Sequence, residues 1–333
     1  MIENRPHIIA ADPGLHFVKD SQPAIDAPPD DDIDPLPEAL WPSAAVRSGI
    51  CGAVTPNVVP WPSGGYRMYY TQILPRPGFP AGANDYEQST TRILSAWSDD
   101  GTVWKPEPGV RLTPQAGGAG EYRVVSPEVV PVSGDSGCWR MYFECCAGLQ
   151  ATASTLRSAV SEDGLAWVVE DGVRLGGAGS YNSPRVVYLD DGRYRLYCGM
   201  RSEGIASAVS EDGGLTFARE EGMRIRPEPG YDALTAFAPE VLQLPGGGYR
   251  LYYAGYSASN CAYVLSALSA DGLTWHKELE PVVAPGGAWD GAKCSEMCIT
   301  ELSDTRYRLF YEACDGTAVD ERGVWRIASA TAH

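Results

Sequence analysis

Tyr66-Arg-Met-Tyr-Tyr70 returns, little altered, as Trp139-Arg-Met-Tyr-Phe143, Tyr194-Arg-Leu-Tyr-Cys198, Tyr249-Arg-Leu-Tyr-Tyr253 and Tyr307-Arg-Leu-Phe-Tyr311. Each copy alternates aromatic, basic and apolar residues, the period-two pattern of a strand packed on both faces. Roughly ten residues upstream of each copy stands a second phrase: Thr55-Pro-Asn-Val-Val59, Ser126-Pro-Glu-Val-Val130, Ser183-Pro-Arg-Val-Val187, Ala238-Pro-Glu-Val-Leu242 and the degenerate Ser295-Glu-Met-Cys-Ile299. A strand of small residues such as Leu94-Ser-Ala-Trp97 follows, and then, in the first four copies, a turn: Ser98-Asp-Asp-Gly101, Ser161-Glu-Asp-Gly164, Ser210-Glu-Asp-Gly213 or Ser269-Ala-Asp-Gly272. Asp-Gly is hairpin chemistry, because Gly accepts positive φ while the Asp carboxylate bonds nearby amides. Trp104, Trp167, Phe217 or Trp275 then opens a last strand. A repeated unit of four strands in roughly 55 to 73 residues has the anatomy of a propeller blade. The fold class expected is all-β: a five-bladed β-propeller with four-stranded blades.

The fifth unit stops at Ile327-Ala-Ser-Ala-Thr331, which matches a third strand. Its fourth strand is found at the other terminus. Gly14-Leu-His-Phe-Val-Lys-Asp-Ser-Gln-Pro23 parallels Gly272-Leu-Thr-Trp-His-Lys-Glu-Leu-Glu-Pro281 almost position by position. Pairing the N-terminal strand with the last blade closes the ring and removes two exposed edges. The chain, 1–333, therefore reads as a single domain: a closing strand at 14–25, a Pro- and Asp-rich linker at 26–48, and blades at about 49–115, 116–177, 178–230, 231–285 and 286–333.

Composition agrees with many short strands joined by tight turns, with 37 Gly, 26 Pro and 18 Tyr. No stretch keeps apolar spacing at helical period, and none approaches the roughly 20 apolar residues of a membrane span. The net charge of −17 repels phosphate backbones and anionic lipid, which argues against nucleic acid and membranes as partners. The first residues lack a basic start followed by an apolar run, so no secretory signal is read and a cytoplasmic setting is expected. Nine Cys without regular spacing suit free thiols in a reducing compartment, and no pair of Cys-x-x-Cys motifs points to zinc.

With these phrases in hand, the chain resembles the five-bladed propellers of glycoside hydrolase families 43, 32 and 130. Those enzymes show a similar unit, with an inner strand opening around a Pro, a Tyr-rich strand and a Ser-x-Asp-Gly turn. The resemblance implies an active site at one mouth of the axial channel, acting on a carbohydrate or glycoside as a hydrolase or phosphorylase. It also allows a calcium ion in the channel, as in some related hydrolases; otherwise no cofactor or metal is expected. Ser210-Glu-Asp-Gly-Gly-Leu-Thr-Phe217 fits the Asp-box of sialidases, but those have six blades and the repeat here numbers five. Families 43 and 32 usually carry an Asp before the Pro of the first inner strand. Thr55, Ser126, Ser183 and Ala238 stand in those places here, with Ser295 before the degenerate Glu296.

Glycosidic cleavage needs two carboxylates, an acid for the leaving oxygen and a base or nucleophile opposite. The position after the Pro reads Asn57, Glu128, Arg185 and Glu240, with Met297 in the fifth unit. Glu128, Glu240 and Glu296 are candidate catalytic carboxylates, with Arg185 holding an anionic group or lowering a carboxylate pKa. Loops into the inner strands add Arg123, Tyr181-Asn182, Tyr231-Asp232 and Trp289-Asp290 as a sugar platform and its hydrogen-bonding groups. Asp232 joins the catalytic candidates because it stands eight residues ahead of Glu240, whereas Asp290 suits a turn cap. The ends of the Tyr-rich strands add Glu144, Arg201, Tyr256 and Glu312, which differ between units where the scaffold repeats. The Arg present in all five copies (Arg67, Arg140, Arg195, Arg250, Arg308) reads instead as a structural partner for the turn carboxylates of neighbouring blades. The four His cannot form a cluster, and Gly246-Gly-Gly248 reads as a hairpin turn rather than a phosphate loop. Two other functions compete: a non-hydrolytic enzyme of specialised metabolism (cyclase, isomerase or lyase) on the same scaffold, and a propeller that only binds a partner.

Overall fold

The computed structural model describes residues 9–26, 50–75, 89–114, 123–132, 137–146, 153–177, 179–302, 304, 306–316 and 323–332. The linker expected at 26–48 lies, but for Asp26, outside the described residues. Among them the chain is all β and holds no helix long and apolar enough to cross a membrane.

Antiparallel pairing sorts the strands into runs of four. The first run is β2 (Ile50–Pro60), β3 (Tyr66–Pro75), β4 (Ser89–Ser98) and β5 (Lys105–Pro106). The second is β6 (Arg123–Pro131), β7 (Trp139–Cys146), β8 (Thr155–Ser161) and β9 (Val168–Val169). The third is β10 (Tyr181–Tyr188), β11 (Tyr194–Met200), β12 (Gly204–Ser210) and β13 (Ala218–Arg219). The fourth is β14 (Thr235–Gln243), β15 (Tyr249–Ala258), β16 (Cys261–Ser269) and β17 (His276–Lys277). The last is β18 (Lys293–Glu301), β19 (Tyr307–Cys314), β20 (Gly323–Ala332) and, from the other end of the chain, β1 (Phe17–Lys19). In that last pairing Phe17 faces Ala332 and Lys19 faces Ala330, and Ile25 bridges to Ile327.

The strands opening the runs neighbour one another in a closed cycle, with β2 against β6, β6 against β10, β10 against β14, β14 against β18, and β18 against β2. The Tyr-rich strands are buried almost throughout, as expected of strands packed between two sheet faces. One aromatic contact repeats at each junction. Tyr69 meets Trp167, Tyr142 meets Phe217, Tyr197 meets Trp275, Tyr252 meets Phe17 and Phe310 meets Trp104, all edge to face at 5.5–6.1 Å. Four of these rings also donate a hydroxyl to a turn glycine carbonyl of the next run: Gly164, Gly214, Gly272 and Gly14. Gly14 thus does for the N-terminal strand what Gly272 does for the fourth run.

Of the repeated arginines only Arg250 pairs with a turn aspartate of the next run as the sequence suggests, holding Asp12 through two hydrogen bonds as well as Glu278 of its own run; the other four do not. Arg67, Arg140 and Arg195 grip Glu107, Glu170 and Glu220 of their own runs with two hydrogen bonds each, and Arg308 grips Asp20. They reach the neighbouring turn through its carbonyls, as in Arg67 to Asp163 O at 2.8 Å. The turn carboxylates are already engaged at home: Asp163 Oδ1 accepts the Leu165 and Ala166 amides at 2.8 Å.

Each opening strand carries one extra residue against its partner, a bulge that accommodates a Pro without an amide to donate. Just before that Pro, Thr55, Ser126, Ser183 and Ala238 take φ of 47–54°, a left-handed conformation rare for residues with a side chain. The last run bulges by the same single residue, and its register corrects the sequence alignment. Cys298 faces Phe310 as Glu128 faces Tyr142, so Cys298, not Met297, is equivalent to Glu128. Met297 then takes the place of the Pro, and Glu296 the place of Thr55, Ser126, Ser183 and Ala238.

Candidate functional site

Two layers occupy the centre of the cycle. The lower is a buried polar network. Glu128 accepts Val186 N at 3.0 Å and Asn57 Nδ2 at 2.8 Å, while Asn57 Oδ1 accepts Val129 N. Glu240 accepts Ile299 N at 3.0 Å and Arg185 Nε at 2.7 Å. The Arg185 guanidinium also donates to the Met297 and Pro56 carbonyls. All of these side chains are buried. Burial of a charge is tolerable only when it is paired and hydrogen-bonded, and here Glu128 and Glu240 stitch one run to the backbone of the next. Asn57, Glu128, Arg185 and Glu240 are thus brought together, but beneath the cavity rather than in it.

Above them lies a cavity of about 400 Å³ whose lining includes Glu144, Glu296, Glu312, Asn182, Arg201 and Lys293. Glu296 rises from β18, and Glu312 from β19 faces Ser295, the residue before it. Glu144 comes from β7 of the second run. Glu312 accepts Thr55 N at 3.0 Å and Ser295 Oγ at 2.7 Å. By contrast, Glu296 Oε1 and Asn182 Oδ1, both buried, meet no hydrogen-bond donor among the described residues. Gly199 leaves room for Asn182, since a Cβ there would meet its Oδ1 at 1.9 Å.

Three buried carboxyls in one cavity cannot all stay ionised. Burial, then the charge of Glu296, pushes Glu144 up to about 7 and Glu312 up to about 8. Burial also raises Glu296, against the opposing pull of Arg185 below and the Ser126 and Ser183 hydroxyls beside it. Arg123, fully buried, and Arg201, at the mouth, draw Glu144 the other way.

Other expected site residues stand elsewhere. Asp232 accepts Tyr253 OH at 3.2 Å, Lys277 Nζ at 2.6 Å and Glu228 N. Asp290 repeats that arrangement one run later, with Tyr311 OH at 2.7 Å and Lys19 Nζ at 2.6 Å. Burial pushes Asp290 up, but the Lys19 and Tyr311 hydrogen bonds outweigh it and hold its pKa below the usual value. A feature repeated in two runs pins loops; a reaction centre breaks the repeat. Tyr231 meets Tyr263 edge to face at the rim, and Trp289 donates to Ser21 O and lies under Arg326. Tyr181 is buried beside Asn182, and Tyr256 lines the cavity.

Sequence reasoning missed Lys293, Trp325, Leu234, Phe237 and Met200, which also line it. Lys293 Nζ sits 5.4 Å from the Tyr256 ring and 5.3 Å from that of Trp325. Trp325 was findable: counting back from the serines Ser95, Ser158, Ser207 and Ser266, its place is filled elsewhere by Thr91, Ser154, Glu203 and Ala262. Among the described residues no three His, Cys, Asp or Glu side chains converge closely enough to hold a metal ion together.

Solved structures with this fold are numerous. A member of the GH130 family of mannoside phosphorylases, which contains glycoside hydrolases that target β-1,2 mannosidic linkages in Candida mannan, superposes with a TM-score of 0.71. It is 16% identical and covers 97% of this chain and 96% of its own. The fold is that of the propeller-like glycoside hydrolases. A glycosyl hydrolase from Bacteroides ovatus (TM-score 0.70, 16% identity, 95% and 93% covered) and a thermostable family-43 glycoside hydrolase (0.63, 15%, 84% and 90%) share it. No family model and no curated protein matches the sequence.

Proposed function

We propose that this chain is a glycoside-active enzyme, hydrolase or phosphorylase, working in the cavity above the Arg185 network. The observation that carries the reading is the pair of unsatisfied acceptors, Glu296 Oε1 and Asn182 Oδ1, buried in a cavity that also holds two carboxyls raised toward neutrality. Buried acceptors without donors are costly unless a ligand supplies them, and sugar hydroxyls are such donors. Glu296, drawn toward its charged form by Arg185 below and the Ser126 and Ser183 hydroxyls beside it, acts as base or nucleophile. Glu144, still half protonated near pH 7, gives its proton to the leaving oxygen. Glu312 holds Thr55 and Ser295 and positions the neighbouring Glu296. Arg201 and Lys293 supply cations that suit a phosphate nucleophile, if the reaction is phosphorolysis.

The architecture proposed with it is a single domain of five blades in a ring. The closed cycle of opening strands, the five equivalent edge-to-face contacts and the pairing of β1 with β20 support it. Release of product from a panel of nitrophenyl glycosides and oligosaccharides, with and without phosphate, tests the function. Turnover of at least one sugar is expected, and folded protein that releases none would refute the reading.

A further inference from the structure

The cavity is polarised, and its apolar half is as unusual as its carboxylates. The fourth run contributes Leu234, Thr235, Phe237 and Tyr256 to the lining and no charge, and Met200 joins them from the third run. Phe237 and Tyr256 pack ring to ring at 5.6 Å. Leu234 stands 54% exposed at the mouth, where solvated leucine has no packing role, and Tyr231 extends the same rim at 40% exposed. This is not a slack loop. Asp232, two residues before Leu234, is tied to Tyr253, Lys277 and the Glu228 amide, and Leu234 N donates to Tyr256 O at 2.8 Å. The fold therefore holds an apolar side chain out over the cavity.

The two halves ask for different chemistry. Glu296, Asn182 and Ser183, deep in the cavity, suit a ring of hydroxyls. Leu234, Phe237 and Met200 offer no hydrogen bond, and a second sugar lying on them would lose partners for its hydroxyls. Resting on the glycosidic reading above, we infer that the group leaving toward the mouth is apolar, so that the natural substrate is a glycoside of an alkyl or aryl alcohol rather than an oligosaccharide. The sugar sits inward on Glu296 and Asn182, and the aglycone lies along Leu234, Met200, Phe237 and Tyr256.

Alkyl glycosides test this cleanly, because the basicity of the leaving alcohol barely changes along the series. The probes are the methyl, butyl, hexyl and octyl glycosides of glucose, galactose, mannose and xylose in both anomers, beside disaccharides of the same sugars. For the sugar that is turned over, KM should fall roughly fourfold per methylene over the first carbons, the value of a buried CH₂, with kcat little changed. Leu234→Asn, at an exposed position that should fold normally, should flatten the series, so that KM falls less from methyl to octyl than in the wild type. A flat series, or a disaccharide with the higher kcat/KM, would overturn the inference and leave the glycosidic reading standing. No turnover of any probe would overturn both.

Discussion

Lys19→Met probes the ring where the two ends of the chain meet. Asp290 is 1% exposed, and Lys19, whose side chain is 30% exposed, is its charged partner at 2.6 Å. Breaking a buried pair costs about 3–5 kcal/mol, and an exposed one about 0–1. The half-exposed lysine and the surviving Tyr311 hydrogen bond place this pair between those limits, at about 2 kcal/mol. Unfolding entropy of about 2.1 cal/mol/K per residue converts that to a fall in Tm of about 3 °C for 333 residues. The sign with pH is fixed by Asp290, whose pKa in the folded chain is held below the ordinary 3.8. Its contribution is present above 3.8 and is lost as pH falls through the lower folded value. Thermal unfolding followed by circular dichroism should therefore show the full gap between wild type and variant at pH 7 and a narrowing gap at pH 3. Lys277→Met, which breaks the equivalent Asp232 pair, should lower Tm by a similar amount at pH 7. No gap at any pH would mean that Lys19 hangs in solvent and that the N-terminal strand does not complete the last run.

Three further outcomes follow from the centre of the molecule. In the pH profile of kcat, activity should fall as pH rises through about 7, where Glu144 loses the proton it must donate. Because Glu144 and Glu312 have raised folded pKa values, their contribution to stability is full below pH 4.5 and is lost as pH rises through about 7 and 8. Glu144→Gln should then flatten the decline in Tm between about pH 4.5 and 7 while abolishing proton donation. Arg185→Met leaves Glu128 and Glu240 buried without their cation and should cost about 3–5 kcal/mol in urea unfolding. If it folds, the acid limb of its pH–rate profile should move upward, since Arg185 is what draws Glu296 toward its charged form.

Much of the scaffold could be read from the repeat, because phrases such as Tyr66-Arg-Met-Tyr-Tyr70 and the Asp-Gly turns encode contacts made in every run. The likeness of Gly14–Pro23 to Gly272–Pro281 was legible for the same reason. Both stretches place an aromatic, a lysine and a glycine against the same partners, Tyr252 with Phe17 and Tyr197 with Trp275. The site was harder. Without its Pro, the phrase Ser295-Glu-Met-Cys-Ile299 gives no mark of where the bulge falls, and a slip of one residue exchanges the roles of Glu296 and Met297. Glu128 and Glu240 resemble catalytic carboxylates in sequence, and only the backbone amides they accept reveal what they hold. Glu144 and Glu312 stood out because Thr71, Gly199 and Ala254 fill the matching places. Leu234 and Phe237 carried no signal, since apolar residues near a strand end read as core.

The account turns on Glu296, and one paired measurement on Glu296→Gln tests it most directly: kcat/KM on the best glycoside together with Tm. Loss of the base should lower turnover roughly 10²–10⁴-fold. Removing a buried, partly unsatisfied carboxylate should at the same time leave Tm unchanged or raise it, because burial is what pushes its pKa up. Undiminished turnover, or turnover lost only together with several degrees of Tm, would contradict the assignment of this cavity as the reaction centre.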